Sequence, residues 1–205
     1  MSGYLVLCRH GESEWNRLGK FTGQHDPDLT ALGEEEAKRV GGICKRLGLE
    51  FEAAYSSKLK RARRTLELIL QEMQIFDLQP VFEQSLNERD YGDLSGITRD
   101  EARERWGKEQ VRLWRRSYEA APPNGESLKD TRERVLAYFE PVIFHNVMLG
   151  KTVLFVSHSN VLRSVIMKLE KLTPEQVLVR EVGTGSAFLY KFGAAGELVG
   201  ISEMK

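Results

Sequence analysis

Two short stretches of this chain, YLVLC at residues 4–8 and TVLFVS at residues 152–157, are apolar almost without interruption. A strand covered on one face alternates apolar with polar residues. An unbroken run marks a strand covered on both faces, as in a parallel sheet between helical layers. Helical patterns separate these runs. Residues 29–48 read as a helix capped by Thr30, with acids at its start and bases at its end, which suits the helix dipole. FEAAY at 51–55 reads as a short strand, and 56–73 as a helix capped by Ser56 or Ser57. Residues 80–88 read as extended, and 99–120 as helical with a break at Gly107. Residues 127–148 open on a Ser127-x-x-Asp130 capping box and bend at Pro141. A helix follows the second apolar run, Thr173-Pro174-Glu175 starts another, and 186–192 with 197–203 make a terminal hairpin. Strands alternating with helices predict a three-layer α/β fold, with a mainly parallel sheet flanked by helices and a single domain over 1–205. Ligands in such sheets bind beyond the carboxyl ends of the strands.

Both apolar runs end abruptly on chemistry-bearing residues. The first is followed by Arg9-His10-Gly11 and the second by His158-Ser159-Asn160. Arg61 follows the strand at 51–55, and Glu88 closes the extended segment. The carboxyl edge of the sheet therefore gathers two histidines, several arginines and a carboxylate. Lys60, Arg63 and Arg64 read as solvated helix positions, and His25 and His145 lie outside any such setting.

This set suits phosphoryl transfer. A phosphate monoester is dianionic and needs cations and N–H donors. Arg9 and Arg61 can fork onto phosphate oxygens. Gly11 would let the backbone approach closely. A neutral His10 can attack phosphorus and become a phosphohistidine, with Arg9 disfavouring its protonation. His158 can donate to the equatorial oxygens, and Glu88 can protonate the leaving oxygen and later deprotonate the incoming one.

Composition narrows the alternatives. The 205 residues are 41% apolar and 29% charged, with formal net charge zero. A soluble globular chain is expected, with neither the summed basic field of a general nucleic-acid binder nor a membrane-surface character. No metal-ligand spacing or Walker loop is present. Cys8 and Cys44 have no CxxC neighbour, and the apolar run near the N-terminus is too short for a signal peptide, so a cytoplasmic protein with a small buried Cys8 is expected.

RHGESEWN at 9–16 resembles the signature of the histidine phosphatase superfamily. Along nearly its whole length the chain is similar to the 2,3-bisphosphoglycerate-dependent phosphoglycerate mutases. The matching stretches include FTG at 21–23, AYSSKLKRARRT at 54–65, LNERDYGDLSG at 86–96, EQVRLWRRSY at 109–118, PPNGESLKDTRERV at 122–135 and LRSVIMKLE at 162–170. LNERDYGDLSG with WRRSY is the more specific to the mutases. The resemblance implies a phosphoglycerate mutase-like fold and interconversion of 3-phosphoglycerate and 2-phosphoglycerate, in glycolysis and gluconeogenesis. It implies priming by 2,3-bisphosphoglycerate, no metal, and a homodimer or larger assembly.

It also implies roles. His10 would be the phosphorylated nucleophile and Glu88 the proton donor and acceptor. Arg9, Arg61 and His158 would bind the transferring phosphoryl group, supported by Asn16. Ser13, Thr22, Gly23, Tyr91, Arg115, Arg116 and Asn160 would hold the rest of the substrate. Arg89, Arg99, Arg115 and Arg116 would offer a second cationic shell, which a mutase needs and a plain phosphatase does not.

Some positions depart from the family pattern. Gln24 stands where the mutases have Trp, Ser159 where they have Gly, Arg99 where they have Lys, and GTGSAFLY at 183–190 replaces a proline-containing form. The chain also lacks an insertion of the longer relatives. Gln24 and Ser159 motivate the alternative, a broad-specificity phosphomonoesterase on the same scaffold.

Overall fold

In the computed structural model, which describes residues 3–205, the strands in chain order are β1 (Gly3–Arg9), β2 (Ala53–Ser57), β3 (Val81–Glu83), β4 (Thr152–Ser157), β5 (Ala187–Phe192) and β6 (Leu198–Met204). They form one sheet in the order β3-β2-β4-β1-β5-β6. The two apolar runs, β1 and β4, are central and parallel, in register from Tyr4 against Thr152 to Arg9 against Ser157. The β2–β4 and β2–β3 pairs are also parallel. The terminal hairpin joins antiparallel through β5 onto β1, so the sheet is mixed with a parallel majority.

The runs lack alternation because both faces are covered. Leu5 and Leu7 of β1 enter one core, with Val153 and Phe155 of β4. Val6 and Cys8 point the other way, with Leu154 and Val156. The first core is closed by α6 (Leu128–Tyr138), α7 (His145–Met148) and α8 (Ser159–Leu169), and the second by α2 (Ala31–Arg46) and α3 (Lys60–Glu72). Each such buried aliphatic side chain stabilises the fold by roughly 1.5–3 kcal/mol. Cys8 and Cys44 are both buried free thiols in the second core, where burial raises the Cys8 thiol and pushes Cys44 up to about 12.

Cap chemistry placed most helix starts. Thr30 accepts from the Gly33 N–H, Ser127 and Asp130 form their box, and Thr173 caps α9 (Pro174–Val179) with Pro174 in the first turn. The expected break at Gly107 separates α4 (Arg99–Trp106) from α5 (Lys108–Arg116). Pro141 lies in a π-helical turn, Phe139–Phe144, which absorbs its missing N–H without ending the helical run.

The start of α3 differs from expectation. Ser56 and Ser57 belong to β2, and the helix begins at Lys60 after an uncapped Leu59. Its orphan Lys60 N–H is satisfied by Asp26 Oδ1 at 2.7 Å, a partner 34 residues away. The extended reading of 80–88 holds only over β3; Gln84–Leu86 is a 3₁₀ turn. A third, smaller core of Phe21, Leu94, Ala102, Val111 and Trp114 packs α4 and α5. Among the described residues no helix is long and apolar enough to cross a membrane.

Candidate active site

Because β1 and β4 are parallel neighbours, the residues that follow them emerge together. The His10 N–H donates to the Ser157 carbonyl at 2.9 Å, and the rings of His10 and His158 lie 5.0 Å apart. Both rings are buried. His10 Nδ1 donates to the Gly11 carbonyl at 2.7 Å, since a carbonyl can only accept. Its Nε2 is therefore left as the lone pair of the neutral ring. His158 Nε2 lies 2.7 Å from Ser57 Oγ at the end of β2, and its Nδ1 is buried with no partner among the described residues. Burial pulls both imidazoles well below the usual histidine value, assisted by Arg61 and, to a smaller extent, Arg9.

A buried arginine and a half-buried one flank His10. Arg61, in the first turn of α3, donates to the carbonyls of His25 at 2.7 Å and Gly23 at 2.9 Å. Arg9 donates to Val182 O at 2.6 Å, and its Nε has no partner among the described residues. Burial lowers both, Arg61 to about 10, and the Glu88 carboxylate opposes the shift. Glu88 is held by its surroundings. Arg134 donates to the carbonyls of Ser85, Asn87 and Glu88 and forks onto Glu126 at 2.9 and 2.7 Å. Burial alone would raise the Glu126 carboxyl, but Arg134, the Asp90 N–H and the Thr131 hydroxyl together outweigh it and hold the group below the usual range.

These groups open into a cleft of about 390 Å³. Of the residues expected from the sequence, Arg9, His10, Asn16, Thr22, Gly23, Arg61, Glu88, Tyr91, Arg99, Arg115, Arg116 and Asn160 line it. Asn16 is turned by Ser13, whose hydroxyl donates to its Oδ1 at 2.9 Å and leaves the amide N–H₂ for the cleft. Asn160 Nδ2 donates to the Tyr91 hydroxyl at 3.1 Å. Tyr91 packs on Phe21, over which Arg115 stands.

Several expectations are corrected. Ser13 does not line the cleft; it is fully buried and caps α1 (Glu14–Arg17). Arg89 is 1% exposed and serves the fold, donating to the carbonyls of Glu126, Trp114 and Ala120. Gly11 brings its backbone close to Gly33, while its N–H goes to Thr65 Oγ1. Gln24 is not a lining residue, whereas Ser159 is. His158 stands against His10 without itself lining the cleft.

The cleft also contains residues that the sequence reading did not select: Lys20, Phe21, Arg163, Glu181, Val182 and Gly183. Arg163 was reachable, because it lies one helical turn after Ser159 on the same face. Residues 181–183 carry no local signal. Among the described residues, no group of three or more histidine, cysteine, aspartate or glutamate side chains could hold a metal ion.

Residues 5–199 match the family described as Histidine phosphatase superfamily (branch 1). The chain is 50% identical over 199 residues to a 2,3-bisphosphoglycerate-dependent phosphoglycerate mutase of Parvibaculum lavamentivorans, covering 97% of this chain and 95% of that one. It is 52% identical to the protein of the same name from Afipia carboxidovorans, covering 93% and 92%. Among solved structures it is similar to Bacillus stearothermophilus YhfR, at TM-score 0.82 and 26% identity, covering 96% and 94%. It is also similar to the alpha-ribazole phosphatase of Shigella flexneri, at TM-score 0.79 and 25% identity, covering 93% and 91%.

Proposed function

This chain belongs to branch 1 of the histidine phosphatase superfamily, among its 2,3-bisphosphoglycerate-dependent phosphoglycerate mutases, and from that premise we propose that it interconverts 3-phosphoglycerate and 2-phosphoglycerate through a phosphohistidine on His10. The observation that carries the reading is the charge of the cleft. Among the described residues, Arg9, Lys20, Arg61, Arg99, Arg115, Arg116 and Arg163 line it against two carboxylates, Glu88 and Glu181. A monophosphate needs the Arg9–Arg61 pair. A glycerate with two phosphates carries about four to five negative charges at neutral pH and suits the remainder.

His10 is prepared for attack by its neighbours. The Gly11 carbonyl fixes the proton on Nδ1, and burial with two flanking guanidiniums keeps the ring neutral. Nε2 forms the bond to phosphorus as the phosphorus–oxygen bond of the donor breaks, and Glu88 gives its proton to the departing oxygen. In the next step Glu88 takes the proton of the acceptor hydroxyl as that oxygen bonds to phosphorus and the Nε2–phosphorus bond breaks. The bisphosphate so formed turns in the cleft, and His10 accepts its other phosphoryl group. Ser57 Oγ accepts from the Leu59 N–H at 3.3 Å, so its own hydrogen is free to donate to His158 Nε2. His158 then carries its proton on Nδ1, the ring nitrogen with no partner among the described residues, for the transferring oxygens. Arg9 and Arg61 supply the matching positive charge.

The initial phosphoryl donor in this reading is 2,3-bisphosphoglycerate, and the chemistry uses no metal. The partners are small phosphorylated acids, and the activity belongs to cytoplasmic glycolysis and gluconeogenesis. Two free buried cysteines are consistent with a reducing compartment.

A broad phosphomonoesterase is the second reading, favoured by the Ser159 side chain in the cleft. One assay separates them. Given 3-phosphoglycerate, the protein should yield 2-phosphoglycerate, strongly stimulated by catalytic 2,3-bisphosphoglycerate, and intact mass should show one added phosphoryl group that is lost in His10→Ala. Inorganic phosphate as the main product, with no bisphosphate dependence, would establish the phosphatase instead.

A further inference from the structure

Three arginines tack one segment across the cleft by its carbonyls. Arg9 holds Val182 O, Arg163 Nε holds Arg180 O at 2.8 Å, and Arg116 holds Leu178 O at 3.0 Å. The segment returns an acid to the same cations. Glu181 lines the cleft beside Arg116 and Arg163, and its carboxylate lies 3.6 Å from Arg116 Nη2. The Glu181 side chain is 83% exposed and has no hydrogen bond among the described residues. Its contact is thus weak and replaceable. Arg163 has committed only Nε; its two terminal nitrogens have no protein acceptor among the described residues. Burial lowers Arg163, and the nearby Arg116 disfavours its charge further, so without a bound anion like charges face one another.

We propose that Glu181 is a built-in counter-anion: it neutralises Arg116 and Arg163 in the empty cleft and is displaced by the substrate's anionic group remote from His10, with Arg163 a further substrate-binding residue. The inference rests on the mutase reading, because it requires a substrate with a second anion. A phosphate offers three terminal oxygens to two guanidinium forks, whereas Glu181 meets Arg116 with one oxygen at 3.6 Å. Glu181 thereby sets the substrate concentration at which the cleft fills, and it disfavours monoanionic esters that cannot compete with it.

The test measures KM for 3-phosphoglycerate, in the presence of 2,3-bisphosphoglycerate, together with inhibition by low orthovanadate. Orthovanadate needs only the phosphoryl site at His10. Arg163→Met should raise KM by roughly 10-fold or more, the size expected for a lost charge-assisted contact, while orthovanadate inhibition stays within about twofold. Arg163→Lys keeps the charge and guards against a folding defect; its KM should rise in the same direction by a smaller factor. Glu181→Gln should lower KM, by up to about fivefold, as a competing anion is removed. An unchanged KM in Arg163→Met, or a parallel loss of orthovanadate inhibition, would overturn the substrate role of Arg163. An unchanged or raised KM in Glu181→Gln would overturn the counter-anion. A wild-type protein that makes only inorganic phosphate from 3-phosphoglycerate would remove the mutase reading itself, a distinguishable result.

Discussion

Gly11 and Gly33 meet backbone to backbone. A β carbon on Gly11 would lie 2.1 Å from the Gly33 carbonyl oxygen, and one on Gly33 would lie 2.1 Å from the Glu12 carbonyl oxygen. The first turn of α2 is thus seated on the loop that carries His10. Thr65 of α3 fastens the same loop by accepting the Gly11 N–H at 3.0 Å and donating to the Arg61 carbonyl at 2.7 Å. The nucleophile is rigid because two helices grip its loop.

Gly11→Ala should therefore fail through packing, since backbone cannot yield as a flexible side chain does. Overpacking of this kind costs about 1–3 kcal/mol, and here it should also displace His10. Urea denaturation should show the loss, and phosphorylation of His10 should slow with it. A variant of wild-type stability would show that the loop can move aside.

Ser57→Ala tests the tautomer of His158. Without the Ser57 hydroxyl, nothing among the described residues fixes the His158 proton on Nδ1. A single hydrogen bond is worth about 0.5–1.5 kcal/mol net, so kcat should fall roughly 3- to 10-fold with little change in KM. Steady-state kinetics decide the point, and an unchanged kcat would remove Ser57 from the mechanism.

The two buried imidazoles make stability depend on pH. Their folded-state values lie well below the ordinary 6.5. Above 6.5 both states are neutral and the histidines contribute no dependence. Below 6.5 the unfolded chain binds protons that the folded chain refuses, so stability falls as pH falls. The slope approaches at most about 1.4 kcal/mol per pH unit for each histidine. Urea midpoints measured from neutral to mildly acidic pH should decline, and less steeply in His10→Gln. A flat profile would mean that the rings protonate freely in the folded protein.

Arg89 and Arg115 should separate folding from binding. Arg89→Met strands the carbonyls of Glu126, Trp114 and Ala120, and should cost at least about 2 kcal/mol of stability. Arg115→Met removes a half-buried guanidinium that lines the cleft, and should raise KM roughly 10-fold with little effect on the melting temperature. Thermal melts and kinetics on both variants check the contrast; the reverse pattern would exchange their roles.

The central strands, most helix starts and the group of His10, Arg9, Arg61, Glu88 and His158 beyond the strand ends are legible in the order of amino acids. These features are local or nearly so. An apolar run reports a strand with two covered faces, and a cap reports a helix start through an i,i+3 bond. Where each polar group is directed depends on how the layers pack. Asp26, not a serine, satisfies the start of α3, and Ser57 was thereby available for His158. Arg89 and Arg163 look alike as isolated arginines. One is turned into the fold by acceptors 25 to 37 residues away, while the other faces the cleft. Gly11 is needed for Gly33, on a helix whose approach no local pattern encodes. Glu181 to Gly183 reach the site only because the chain returns over it between α9 and β5. Periodicity and capping act over a few residues, so they can be read in the chain. The partners of a buried guanidinium or a close backbone contact are chosen by packing, and packing exists only once the layers have met.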